Sequence, residues 1–257
     1  MKKNFFRFVS LTILLSLSIC QGMEKPKLTI DAHVTKKTRT INALGKHHMV
    51  ELFNCDKELL KNKKQIIKIM QKAAIEAGAT IIGFKTQEVG PLMCCLVLVS
   101  ESHLSIHANV NTGYAAVDVF TCGECDNIKA INHIAKSLSA QEHRLTTITR
   151  GIYATGTYLP FKNLSGKKQG DHHILELYGC NPKSINDVDG VDATLKNAIK
   201  KMGATVIGSV PFQFTPQGVS DIVLFSSKTG VGYITIHTWP ELNKPYCAID
   251  IFTYGKN

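Results

Sequence analysis

Ser100-Glu101-Ser102-His103-Leu104-Ser105-Ile106-His107 has a weaker echo near the C-terminus, Ile234-Thr235-Ile236-His237-Thr238-Trp239-Pro240-Glu241. Aligned on His107 and His237, the first stretch carries Glu101-Ser102 where the second has Val231-Gly232. The second carries Trp239 and Glu241 where the first has Asn109 and Asn111. The chain therefore reads as a diverged internal duplication in which each half holds what the other lacks. That pattern suits one composite site, with the reactive group from one half and the substrate pocket from the other.

The repeat continues away from these stretches, and a period longer than a solenoid unit points to duplication of a whole domain. Gly45-Lys46-His47-His48-Met49-Val50-Glu51-Leu52 matches Gly170-Asp171-His172-His173-Ile174-Leu175-Glu176-Leu177. The register runs on without a gap from Cys55 and Cys180 to Gly78-Ala79-Thr80 and Gly203-Ala204-Thr205, and Ala116 to Thr121 pairs with Ala248 to Thr253. Length differences fall between the blocks, where loops tolerate insertion. The copies are expected over 45–150 and 170–257, joined by a linker over 151–169.

Each copy reads as strand, helix, strand, strand, strand. His48 to Phe53 alternates as a half-buried strand does, and Leu59 to Ala77 has helical spacing that Gly78 ends. Leu96 to Val99 and Ala115 to Phe120 are β-rich runs divided by the polar turn Asn109 to Gly113. Ile128 to Leu138 predicts a second helix in the first copy, and the second copy has no counterpart to it. The expected fold is α+β, a four-layer αββα sandwich of two tandem copies forming a pseudo-dimer.

The chain has 257 residues, 44% hydrophobic, enough for a substantial core, and a formal net charge of +10. The lysines are scattered over helix faces and termini with no basic stripe interleaved with aromatics, which excludes a dedicated nucleic-acid surface. Lys2, Lys3 and Arg7 followed by an apolar run have the layout of a signal or lipoprotein leader over 1–22, with Cys20 as the lipid acceptor. Otherwise translation starts at Met23 and the protein is cytoplasmic. Nothing after residue 22 is long and apolar enough to span a membrane. Eight cysteines include the adjacent Cys94-Cys95, and reduced thiols are expected. A lone Cys122-Gly123-Glu124-Cys125 and the His47-His48 and His172-His173 doublets are weak metal signals, since neighbours on a strand face opposite ways; no metal is expected.

Glu101 to His107, Gly113-Tyr114-Ala115-Ala116-Val117-Asp118-Val119-Phe120-Thr121-Cys122-Gly123, Phe214-Thr215-Pro216-Gln217-Gly218-Val219-Ser220 and His237-Thr238-Trp239-Pro240-Glu241 together resemble the S-adenosylmethionine decarboxylase family. The resemblance covers Gly45 to Gly255. It implies self-cleavage between Glu101 and Ser102, the Ser102 hydroxyl attacking the Glu101 carbonyl to give an ester whose β-elimination and hydrolysis leave a pyruvoyl group from Ser102. Ser220 matches the oxyanion donor and His237 the base for the α-proton, with His107 the alternative processing base. The pyruvoyl ketone would serve as electron sink for decarboxylation. Cys122 matches the acid that protonates the product carbon, a thiol whose ordinary pKa of about 8.5 lets it give and regain a proton near neutrality.

Substrate recognition is assigned by the same resemblance to the second copy. Phe214 stacks on adenine, Trp239 lines the pocket, and Glu241 accepts from the ribose hydroxyls. In the first copy the Ser220 position falls at Cys94 or Cys95. A second working site is not expected, because its nucleophile would be Gly232 and its acid Tyr254. Phe120, Phe252, Asp118 and Asp250, present in both copies, are assigned to the fold. The function implied is decarboxylation of S-adenosylmethionine to the aminopropyl donor for spermidine synthesis. The alternatives are a catalytically dead regulatory paralogue and an exported adenosyl-binding protein. The assembly is a monomeric pseudo-dimer or a homo-oligomer.

Overall fold

The computed structural model describes residues 44–100, 102–151, 170–228 and 230–255. The leader over 1–22, Glu101 and the linker beyond Gly151 lie outside the described residues. The first sheet is built from β1 (Gly45–Phe53), β2 (Ile81–Val89), β3 (Leu92–Val99), β4 (Ser102–Asn109), β5 (Tyr114–Cys122) and β6 (Glu142–Arg150), in the order β2-β3-β4-β5-β1-β6. The second contains β7 (Gly170–Tyr178), β8 (Thr205–Ser209), β9 (Phe212–Gln213), β10 (Val219–Ser226), β11 (Gly230–Trp239) and β12 (Tyr246–Gly255). Its order is β7-β12-β11-β10-β8, with β9 pairing β10. Read from β8, this is the order of β2-β3-β4-β5-β1. All the pairings are antiparallel, so the fold is α+β with two antiparallel sheets.

Helices α1 (Lys57–Lys61), α2 (Lys63–Glu76) and α3 (Asn127–Ser137) belong to the first half, and α4 (Val188–Lys201) with a short 3-10 turn (Ser184–Asn186) to the second. The expected single helix from Leu59 is two. Asn62 leaves the helical region (φ −86°, ψ 91°) and its side chain accepts from the Gln65 N–H, which starts α2 afresh. Ile66, Ile69, Met70, Ala73 and Ala74 then form the buried stripe of α2. Gly78, at φ +84°, ends the run in a conformation suited to glycine. The helix expected at Ile128 is present as α3, capped by the Asp126 carboxylate on Lys129 N–H.

Four strands follow the helix where three were expected, and β6 adds another. β2 and β6 are edge strands, half-buried and largely exposed. Their polar residues hide the alternation that marked β1. β3 shows the opposite pattern: Leu-Met-Cys-Cys-Leu-Val-Leu-Val is nearly all buried because both of its faces are covered. Met93, Cys95, Val97 and Val99 join a core with α2 and α3. Cys94, Leu96 and Leu98 pack instead against Ile222, Leu224, Tyr233 and Phe252 of the other sheet. The second sheet does the same, sending Val223, Ile234, Ile236 and Ile249 towards α4. The sheets thus meet face to face, and the residues between them decide the chemistry.

Candidate active site

β4 begins at Ser102, buried and held at φ 147°, a value that L side chains rarely adopt. Strand alternation then turns His103, Ser105 and His107 towards the second sheet, which directs Ser220 and His237 back from neighbouring positions of β10 and β11. Four side chains from the two sheets form one chain of contacts. Ser220 Oγ lies 2.7 Å from His237 Nδ1, His237 Nε2 lies 2.9 Å from His103 Nδ1, and His103 Nδ1 lies 3.4 Å from Ser102 Oγ. The two imidazoles lie nearly coplanar, 5° apart with centroids at 5.2 Å, and meet edge to edge through these nitrogens. Sequence motifs pointed to Ser102, Ser220 and His237. They missed His103, which occupies an ordinary inward position of β4 and is singled out only by its neighbour in the other sheet.

Burial lowers the pKa of His103 to about 3 against the opposing pull of Asp250. Burial, then His103 itself, holds His237 well below the ordinary imidazole value. Both rings are neutral at physiological pH, each able to donate from one nitrogen and accept at the other.

At the related point of the first sheet, β3 pairs Cys94 with His107 as β10 pairs Ser220 with His237. This settles the alternative between Cys94 and Cys95. Cys94 Sγ lies 3.6 Å from His107 Nε2, and burial raises the thiol well above its usual pKa, so it stays protonated. His107 is wedged among Phe252, Tyr233 and Tyr254, with ring centroids at 4.3, 5.2 and 6.2 Å. Aromatic rings fill this end of the interface.

Cys122 and Trp239 join one apolar cluster with Phe120, Tyr246 and Leu242 near the other end. Trp239 packs on Tyr246 with ring centroids 5.1 Å apart and planes tilted by 31°. Phe214 packs on Phe212 at 4.9 Å in the loop before β10, where Gly218 at φ +107° returns the chain to pair its carbonyl with Phe214 N–H. Glu241 is exposed in the turn after β11. No contact among the described residues ties Phe214 or Glu241 to Ser102.

Between the two ends, one histidine of each doublet meets across the interface, a convergence that alternation within a single strand does not reveal. His47 and His172 each lie 3.4–3.7 Å from both Asp118 and Asp250. Ligand atoms of His47, His172 and Asp250 lie within 4.8 Å of one another, a donor set that a metal ion could use. Arg150 Nη1, however, sits 2.6–2.7 Å from both Asp250 oxygens, and Ser105 and Tyr233 hydroxyls donate to Asp118 Oδ2 at 2.9 Å. The carboxylates are already engaged and Arg150 repels a cation, so the cluster is a buried ionic network joining the sheets.

A family model described as S-adenosylmethionine decarboxylase matches residues 46–151 and 171–257. Proteins named S-adenosylmethionine decarboxylase proenzyme from Caldicellulosiruptor saccharolyticus and Acetivibrio thermocellus are 44% and 41% identical to this chain over 115 residues, 44% of this chain and 93% of each relative. The solved adenosylmethionine decarboxylase of Aquifex aeolicus aligns over 46% of this chain and 98% of its own, with 27% identity and a TM-score of 0.41.

Proposed function

The chain belongs to the S-adenosylmethionine decarboxylase family, and we propose that it decarboxylates S-adenosylmethionine after cutting itself between Glu101 and Ser102. Two tandem copies of the family domain, 45–150 and 170–257 joined by 151–169, would form a pseudo-dimer with one working site. The product would be the aminopropyl donor for spermidine synthesis.

The observation that carries this reading is the meeting of Ser102, at its strained φ of 147°, with the His103, His237 and Ser220 side chains. A serine that makes a pyruvoyl group needs a buried hydroxyl beside the scissile bond, a donor for the developing oxyanion and a base for the α-proton. These residues fit that need: Ser102 is the nucleophile, Ser220 the oxyanion donor and His237 the base. When formed, the pyruvoyl group supplies an electron sink for loss of carbon dioxide. Cys122, half-buried in the same apolar cluster as Trp239, would return a proton to the product carbon. Phe214, Trp239 and Glu241 would bind the nucleoside, with Glu241 reaching the ribose from its exposed turn.

The pseudo-equivalent end lacks these parts. Gly232 replaces the serine and Tyr254 the thiol, and aromatic rings surround His107. A single turnover site per chain follows.

Denaturing intact-mass analysis of protein expressed from Met23 tests the proposal. Two chains meeting at Glu101/Ser102, the second blocked by a pyruvoyl group, are expected for wild type, and one uncut chain for Ser102→Ala. A wild-type chain that stays whole on long incubation would refute self-activation and turn the assignment to a regulatory paralogue.

A further inference from the structure

Self-processing, on the reading just given, asks for a base at the Ser102 α-proton and a donor at the Ser102 oxygen. That oxygen carries negative charge twice, as nucleophile and again when it leaves within the Glu101 carboxylate. His103 Nδ1 stands between the nominal base and the serine, 2.9 Å from His237 Nε2 and 3.4 Å from Ser102 Oγ. One nitrogen serves two partners. The other, His103 Nε2, is buried without a hydrogen-bond partner. An orphaned buried N–H is rarer and costlier than an orphaned acceptor, so the ring proton belongs on Nδ1. His237 then keeps its Nε2 lone pair and donates from Nδ1 to Ser220 Oγ at 2.7 Å, which leaves Ser220 a hydroxyl proton to give an oxyanion.

We propose that His103 is a further catalytic residue of self-processing, whose Nδ1–H holds His237 in its accepting tautomer and stabilises negative charge on Ser102 Oγ. In the first step the Oγ–H bond breaks, Oγ bonds to the Glu101 carbonyl carbon, the C–N bond breaks, and the hydroxyl proton ends on the Ser102 nitrogen. His103 keeps its own proton and steadies the oxygen. In the second step the His103 Nδ1–H turns from His237 Nε2 to the ester oxygen, which frees the Nε2 lone pair to take the α-proton as the Cβ–Oγ bond breaks and its electron pair leaves with the Glu101 carboxylate. Water then displaces ammonia to leave the ketone. The fold itself does not demand imidazole here. At the related position of the second sheet stands Tyr233, whose hydroxyl donates instead to Asp118 Oδ2 at 2.9 Å.

The test follows newly translated precursors in a cell-free chase from pH 4 to 9, read by intact mass. Wild type, Ser102→Ala, His103→Asn and His103→Phe are compared, with hydroxylamine added to parallel samples to cut any accumulated ester. Asn keeps an N–H near Nδ1, whereas Phe keeps only the ring. Loss of one oxyanion donor costs about 10²–10³-fold in rate, so Phe should slow cleavage by about that factor and Asn by about tenfold or less. The acid limb should also move to higher pH in the Phe variant, because the Nδ1–H that favours a neutral His237 is lost with the imidazole. A mere packing defect would not move that limb. A Phe variant that cuts at the wild-type rate, or Asn and Phe variants equally slow with an unmoved limb, would overturn the inference while self-cleavage stands. A wild type that never cuts would overturn the underlying reading together with it.

Discussion

Ser102 holds φ at 147°, a conformation that costs on the order of 1–3 kcal/mol and survives only where the surroundings impose it. Strand pairing to Val99 and Thr121 and burial on all sides do so here. Its counterpart Gly232 is confined differently. A Cβ there would lie 2.4 Å from the Phe252 carbonyl oxygen and 2.6 Å from Phe225 Cζ, so the second copy has no room for a nucleophile. Gly232→Ser should therefore lose about 1–3 kcal/mol of stability through overpacking, seen as a lower urea midpoint, and mass spectrometry should show no new cut at that position. A stable variant that cuts there would mean that the second end is a working site lacking only its serine. Ser102, Ser220 and His237 were picked out because each sits in a short stretch that resembles a family motif. His103 was not, because its importance lies in a 2.9 Å approach to a residue 134 positions away.

β6 shows what an element can hide. Glu142 to Arg150 is mostly exposed, and its polar run gave no periodicity from which to predict a strand, as with the edge strand β2. Yet its last residue is among the most buried in the molecule. Arg150 reaches Glu176 Oε1 through Nε at 3.1 Å, Asp250 through Nη1, and the Leu175 carbonyl through Nη2 at 3.1 Å, while its guanidinium covers Phe120 at 4.7 Å. β6 thereby clamps the first sheet to β7 and β12 of the second. Arg150→Met would strand the Asp250 carboxylate in the interior, which costs about 3–5 kcal/mol. Chemical denaturation of the uncut Ser102→Ala chain should show that loss, and adding Asp250→Asn should return part of it because no buried charge is then left alone. Arg150→Lys should not rescue, since one ammonium cannot span three directions. An Arg150→Met chain as stable as its parent would show that β6 is ornamental to the joining of the sheets.

At the scale of the whole molecule, the two antiparallel sheets were legible from alternation and from the repeat, whereas the ionic interior was not, since neither His doublet reveals which ring turns inward. That interior makes stability depend on pH in a direction that can be worked out. His103 and His107, both lowered to about 3 by burial, and His237, held well below the ordinary imidazole value by burial and then His103, remain neutral in the fold near pH 5, where the unfolded chain protonates them. Each lowers stability by about 1.4 kcal/mol per pH unit as pH falls below the ordinary imidazole value. Asp221 opposes them: burial, then Asp192, pushes it up to about 8, so the folded state holds a proton at pH 5 that the unfolded state lacks. His172, raised on balance because Asp118 and Asp250 outweigh burial, is protonated in both states at that pH and contributes no slope there. His48, lowered by burial and then by His47, adds to the same side, so with His103, His107 and His237 against Asp221 stability should fall by at least roughly 2–3 kcal/mol per pH unit between pH 6 and 5. Urea titrations of the Ser102→Ala chain at the two values measure it, the uncut chain being used so that one transition describes unfolding. His107→Leu should reduce the slope by about one proton, near 1.4 kcal/mol per unit, since its ring lies at the end remote from Ser102. A flat profile, or one steepening towards alkali, would mean that these histidines are charged in the fold, and the neutral relay between Ser102 and Ser220 would fall with it.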